Sequence, residues 1–218
     1  TLELPSPFPP EHLKLHVDHR TSTHYRDRER TCSAVAERIL EVVGGRGNHL
    51  VFFPSYAYLK MVADCLGDLA PELDLCIQVP MMSEDERDAF LDGFQKLPQK
   101  GCVGLVVMGG IFGEGIDLVG ERLTGAIVVG VGLPGICMER DLIRDYFSEL
   151  GRDGFAYAYV YPGISRVQQA VGRVIRTASD RGTVLLIDRR YATARYRQLM
   201  PPHWRPRWTS GERLAASS

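Results

Sequence analysis

The segment Gln169-Ala170-Val171-Gly172-Arg173-Val174-Ile175-Arg176 sets one amide and two guanidiniums at spacings of four and three residues. The apolar residues around them predict a helix from about Ser165 to Arg176, and on it these three groups project from one side. Two guanidiniums aimed together suit a triphosphate whose charge moves toward the leaving oxygen during hydrolysis, the work of an arginine finger. Gly172 leaves room on that side for something close. A solvated basic helix face has the same spacing, so both readings stand at this point.

Three further segments could carry chemistry. Gly109-Gly110-Ile111-Phe112-Gly113-Glu114-Gly115-Ile116-Asp117 follows an apolar run and packs four glycines and two carboxylates into nine residues. Its glycines permit close backbone approach, and Glu114 and Asp117 could orient arginines, a ribose or a metal-bound water; a tight structural loop with solvated acids fits equally. In Phe52-Phe53-Pro54-Ser55-Tyr56, Ser55 can cap a helix, and the backbone N–H groups behind it can bind a phosphate of a nucleic-acid strand. Gly130-Val131-Gly132-Leu133-Pro134-Gly135 matches a dinucleotide-binding turn, but the acid expected about 20 residues on is missing, since Asp153 sits in a Gly-flanked turn. No GxxxxGK[ST] cradle occurs. If this chain meets ATP, another domain must hold most of the nucleotide.

The elements that would position these groups alternate along the chain. Strand-like runs are His49–Phe53, Leu73–Val79, Cys102–Met108, Gly125–Val131 and Thr183–Asp188, with Tyr157–Tyr161 as an extended stretch. Helical patterns cover Ala34–Val43, Tyr56–Leu69, Met138–Leu150 and a segment to about Phe94 that Ser83 and Glu86 cap. Short Val, Ile and Leu runs without polar alternation are strands buried on both faces. With helices between them they imply a parallel sheet in a helix-covered α/β layer fold.

The 218 residues are 44% hydrophobic and 24% charged, which excludes a disordered chain and suits one large domain or one domain with appendages. The net charge of -1 hides a gradient: residues 161–218 hold eleven Arg, no Lys and three acids, a local +8, against -9 before them. A concentrated block of guanidiniums is a place for phosphates held by fixed two-point contacts. The five cysteines form no CxxC pair and read as buried thiols of a reducing compartment, and the six histidines lack a metal-ligand spacing. No apolar run reaches the roughly 18 residues of a membrane span, so a membrane partner is not expected. Pro5, Pro7, Pro9 and Pro10 predict an extended lead-in.

In chain order the segments are FFPSY (52–56), FLDGF (90–94), GEGID (113–117), QQAVGRVIR (168–176) and LIDRR (186–190). From about Ser6 to Tyr196 this order resembles the second RecA-like motor domain of superfamily 2 helicases in the XPD/DinG group, the iron–sulfur-type DNA helicases, and within it the bacterial DinG-like branch. The resemblance implies a RecA-like parallel β-sheet sandwiched between helices, a P-loop NTPase fold without its own P-loop. Residues 1–27 would be a lead-in with a first strand, 28–200 the motor domain and 201–218 an irregular tail. It implies that Gln169, Arg173 and Arg176 face the γ-phosphate across a cleft. Gly113, Glu114, Gly115, Asp117 and Gly172 would couple that site to a DNA track, with Ser55, Tyr56 and Gly110 on the single-strand side. ATP and Mg²⁺ would be shared with a first RecA-like domain of the same polypeptide. A 4Fe-4S cluster, where present, would lie in that missing domain and not in this chain.

Further implications are a partner in single-stranded or forked DNA, 5′ to 3′ travel, a role in DNA repair, a bacterial cytoplasmic, nucleoid-associated location, and no ATP hydrolysis by this chain alone. The missing P-loop and the +8 block leave a second reading, a non-catalytic nucleic-acid-binding or docking module.

Overall fold

A computed structural model describes residues 8–43, 47–94, 101–112, 118, 120–177 and 179–209. Seven strands form one sheet: β1 (Leu13–Asp18), β2 (His49–Phe53), β3 (Asp74–Ile77), β4 (Cys102–Val107), β5 (Gly125–Val129), β6 (Gly182–Ile187) and β7 (Arg207–Trp208). Their order is β3-β4-β2-β5-β6-β1-β7, and every neighbouring pair is parallel. The helices are α1 (Arg28–Val43), α2 (Tyr56–Leu69), α3 (Glu84–Asp92), α4 (Met138–Glu149), α5 (Tyr161–Gly172) and α6 (Ala194–Leu199).

Side chains alternate between two cores, as the period of two along a strand requires. Val51 and Phe53 of β2, with Ile127 and Val129 of β5, pack under α1 and α2. Leu50 and Phe52, with Ala126 and Val128, pack on the opposite face against α5 and α3. Every residue of β2 and β5 is therefore buried, which is why these strands read as unbroken apolar runs. Ser83 and Glu86 form the reciprocal cap expected of them at the start of α3.

Four expectations differ from the structure. Tyr157–Tyr161 is not extended: Ala156–Val160 is a π-helical turn running directly into α5. Its alternating Ala and Tyr mimic a strand, but Asp153 Oδ1 accepts the Ala156 N–H at 2.9 Å and starts a helix, and the turn's wider bonding accommodates Pro162, which has no N–H to give. Next, α5 ends at Gly172, four residues early. There the Arg173 and Val174 N–H groups bond the carbonyls three residues back, Ala170 and Val171, so the last turn tightens and drives Val174 and Ile175 into the core. Third, of the five cysteines only Cys102 is buried; Cys137 is exposed and the other three are half-buried. Last, residues 201–209 are ordered structure. Trp204 is buried, Arg207–Trp208 pair with β1, and the Thr209 N–H donates to Val17 O at 3.0 Å. Among the described residues no helix is long and apolar enough to cross a membrane.

Candidate functional site

In a parallel sheet with helices on both faces, ligand-binding residues gather beyond the carboxyl ends of the strands. That edge here is polar and hydrogen-bonded. After β2, Ser55 caps α2 by accepting the Tyr58 N–H at 3.3 Å. Its hydroxyl also accepts from Arg28 Nη1 at 3.4 Å. The Arg28 guanidinium stands over the Tyr58 ring at 4.5 Å and the Tyr25 ring at 5.4 Å, and forms no ion pair with a carboxylate among the described residues. The sequence signal for Arg28 is faint, an arginine opening a helix.

Tyr56 and Gly110, distant in sequence, are joined through a third residue. Gln78, buried just after β3, donates from Nε2 to the Tyr56 hydroxyl at 3.0 Å and accepts the Val107 N–H on Oε1 at 2.8 Å. A side chain at Gly110 would come within 3.1 Å of that same Nε2. Thus Ser55, Tyr56 and Gly110 share one edge, held by an amide whose sequence signal was a lone glutamine closing an apolar run.

Gln169 lies one layer below. With Arg166, Phe52, Met108, Gly109 and Ala170 it lines a small cleft between α5 and the ends of β2 and β4. Gly109 is left-handed (φ 73°), and a side chain there would press on the Arg166 guanidinium at 3.2 Å. Arg166, three residues before Gln169 and so on the same helix face, was not singled out from sequence.

Arg173 sits at the C-cap of α5 and Arg176 beyond it, both half-buried. They do not share a helix face. Instead their positions are set by the buried Val174 and Ile175 between them and by Asp180. One Asp180 oxygen accepts the Arg176 and Thr177 N–H groups at 2.9 and 2.8 Å, and the other accepts the Thr177 hydroxyl at 2.7 Å. Burial pushes the Asp180 carboxyl up, but these bonds outweigh it and leave it below the usual carboxylate value. A side chain at Gly172 would meet nothing within 4 Å, so the surface beside Arg173 is open there. Gly113, Glu114, Gly115 and Asp117 lie outside the described residues.

The glycine-rich turn after β5 has a packing role. Gly132 (φ 70°) lies against the backbone of Gly163 in α5, so the close approach that a dinucleotide would need is already occupied by the protein's own chain. Beside it, the Tyr191 hydroxyl donates to Gly130 O at 2.8 Å. No group of three or more metal-ligating side chains forms among the described residues, and these cysteines do not fit an iron–sulfur cluster.

Compared with known proteins, residues 37–207 match the family of helicase C-terminal domains. The chain is 31% identical over 160 residues to the ATP-dependent DNA helicase DinG of Photobacterium profundum, an alignment covering 72% of this chain and 22% of that protein. It is 29% identical over 212 residues to a probable ATP-dependent helicase of Methanocaldococcus jannaschii, covering 88% of this chain and 31% of that one. It therefore spans less than a third of the length of either relative. A solved apo XPD structure superimposes with a TM-score of 0.73 at 18% identity, covering 90% of this chain and 40% of that one, so the fold is shared and is RecA-like.

Proposed function

Because the chain belongs to the helicase C-terminal domain family, in its XPD/DinG group, we propose that it is the second motor half of an ATP-dependent DNA helicase. The observation that carries this reading is the run from the cleft to the end of α5. Gln169 lines the cleft beneath the strand edge, and Arg173 and Arg176 follow on one segment that Val174, Ile175 and Asp180 hold in place. With no phosphate cradle in the sequence, the α- and β-phosphates of ATP belong to a first RecA-like domain. When the two domains close on ATP, Arg173 and Arg176 reach the γ-phosphate and stabilise the charge that builds during transfer to water. Mg²⁺, when bound, would neutralise phosphate charge and, like the nucleotide, would be shared with the first RecA-like domain.

The edge bearing Ser55, Tyr56 and Gly110 forms the single-strand track, with Arg28 facing the phosphates. Opening after hydrolysis would then move DNA along that edge, in the 5′ to 3′ direction that likeness to the group suggests. DNA-stimulated ATPase activity of this chain, set beside that of the full-length gene product, tests the reading. Activity is expected only in the longer protein, and Arg173→Ala there should lower kcat about 10³-fold with ATP binding largely kept. Near-normal turnover in that variant, or turnover by these 218 residues alone, would overturn it.

A further inference from the structure

The sulfurs of Cys76 and Cys102 hydrogen-bond across 2.9 Å on neighbouring strands. In the β3–β4 register Cys102 lies opposite Asp74 and Cys76 opposite Gly104, so the two thiols are diagonal neighbours on one face of the sheet. The residue directly across from Cys76 has no side chain, and the residue capping α3 above them, Gly93, has none either. A Cβ at Gly93 would come within 2.8 Å of the Cys76 sulfur and 3.4 Å of the Cys102 sulfur. Nothing stands between the two sulfurs. A metal does not explain the pair, since no third ligand joins it among the described residues.

The geometry points to Cys76 and Cys102 as a redox-modifiable dithiol that hydrogen peroxide converts to a disulfide across the β3–β4 pair. The Cys76 thiolate attacks one peroxide oxygen, giving a sulfenic acid and, after protonation, water. The Cys102 sulfur then attacks the Cys76 sulfur, its proton leaves with the sulfenic oxygen as a second water, and the S–S bond closes. Each sulfur gives up one electron, and the two oxygens of the peroxide take them.

The chemistry distinguishes this pair from the other thiols. The hydrogen bond from Cys102 holds the Cys76 thiol below its ordinary value, favouring the nucleophilic thiolate, while that neighbour and burial push Cys102 up. Cys65, by contrast, is pushed up to about 11 by burial and by the nearby Cys32. Cys137 is exposed, and its side chain hydrogen-bonds the Glu139 carboxylate rather than another sulfur. The site also matters to its surroundings: among the described residues β3 is an edge strand bonded only to β4, and Gln78, which bridges Tyr56 to Val107, follows it directly. A covalent tie at Cys76 fastens that edge.

The test is to reduce the chain, remove the reductant, treat it with hydrogen peroxide, unfold it in excess N-ethylmaleimide and map it by non-reducing mass spectrometry. The expected result is loss of two of the five thiols, a Cys76–Cys102 linked peptide lighter by two hydrogens, and full reversal by dithiothreitol. In Cys102→Ser the reaction should stop at a Cys76 sulfenic acid that dimedone captures. A variant with Cys32, Cys65 and Cys137 all changed to Ser should still form the link. Linkage of Cys32 to Cys65, modification of Cys137 alone, or a Cys76 that stays reduced while the chain remains folded by circular dichroism would overturn the assignment.

Discussion

Arg190 grips Asp188 at two points, Nε to Oδ1 and Nη2 to Oδ2, both at 2.8 Å, although Asp188 is wholly buried at the end of β6. Thr23, in the loop after β1, donates its hydroxyl to the same carboxylate. The pair therefore locks the exits of two adjacent central strands, β1 and β6, one of which leads into the Arg28 region.

Removing Arg190 should be costly, because Asp188 is left as a buried charge with only the Thr23 hydroxyl and a backbone N–H to answer it and no opposite charge among the described residues. Arg190→Ala is expected to destabilise the chain by about 3–5 kcal/mol, read as a lower midpoint in urea unfolding. Burial pushes the Asp188 carboxyl up, but the hydrogen bonds and charge of Arg190 outweigh it and hold it below the ordinary value. Its folded pKa is thus depressed. Its contribution is complete above the unfolded value of 3.8 and is lost as pH falls below that through the folded value. A wild-type loss of stability below about pH 4 that persists unchanged in Asp188→Asn would refute this account.

A second titration works at higher pH. His49, buried at the start of β2, meets Gly47 O through Nδ1 at 3.1 Å, and burial lowers its pKa to about 4. The unfolded chain takes up this proton near pH 6.5 and the folded chain only near 4, so stability falls as pH drops through that interval, by up to about 3 kcal/mol. His16 and His24 are also lowered by burial and act with the same sign. His49→Asn should therefore reduce the slope of stability against pH between 6.5 and 4 by about one proton without flattening it. Equal slopes in urea titrations at several pH values would rule out His49 as the source.

The sheet was legible because β2, β4 and β5 are covered on both faces, leaving Val, Ile and Leu runs that nothing but a buried strand explains. Ser83 and Glu86 were legible because a cap is a local event. What escaped was non-local. Gln78 matters through Tyr56 and Val107, each more than twenty residues away, and Arg166 through its approach to Gly109 and the cleft they share. The helix end before Arg173 was hidden because Val174 and Ile175 continue a helical apolar pattern, and their departure depends on the start of β6, where Val174 packs over Gly182. The Tyr157 stretch misled for the opposite reason: a period of two in sequence became a π-helical turn once Asp153 capped it.

Arg28 offers the sharpest separation of structural from strand-contacting roles. Its stacking over Tyr58 and Tyr25 could be a pillar of the fold, in which case Arg28→Ala would lower stability and leave DNA affinity alone. With Ser55 at 3.4 Å and no carboxylate bound among the described residues, its charge is instead available to a phosphate of the single strand. Arg28→Ala in the full-length protein is then expected to weaken single-strand binding to a similar degree for all sequences. The slope of log affinity against log salt should become shallower by about 1. Arg28→Lys, which keeps the charge but stacks less well, should retain most of that slope while losing some stability. An unchanged slope in Arg28→Ala, measured by fluorescence anisotropy across salt concentrations on protein shown to be folded, would return Arg28 to a purely structural role.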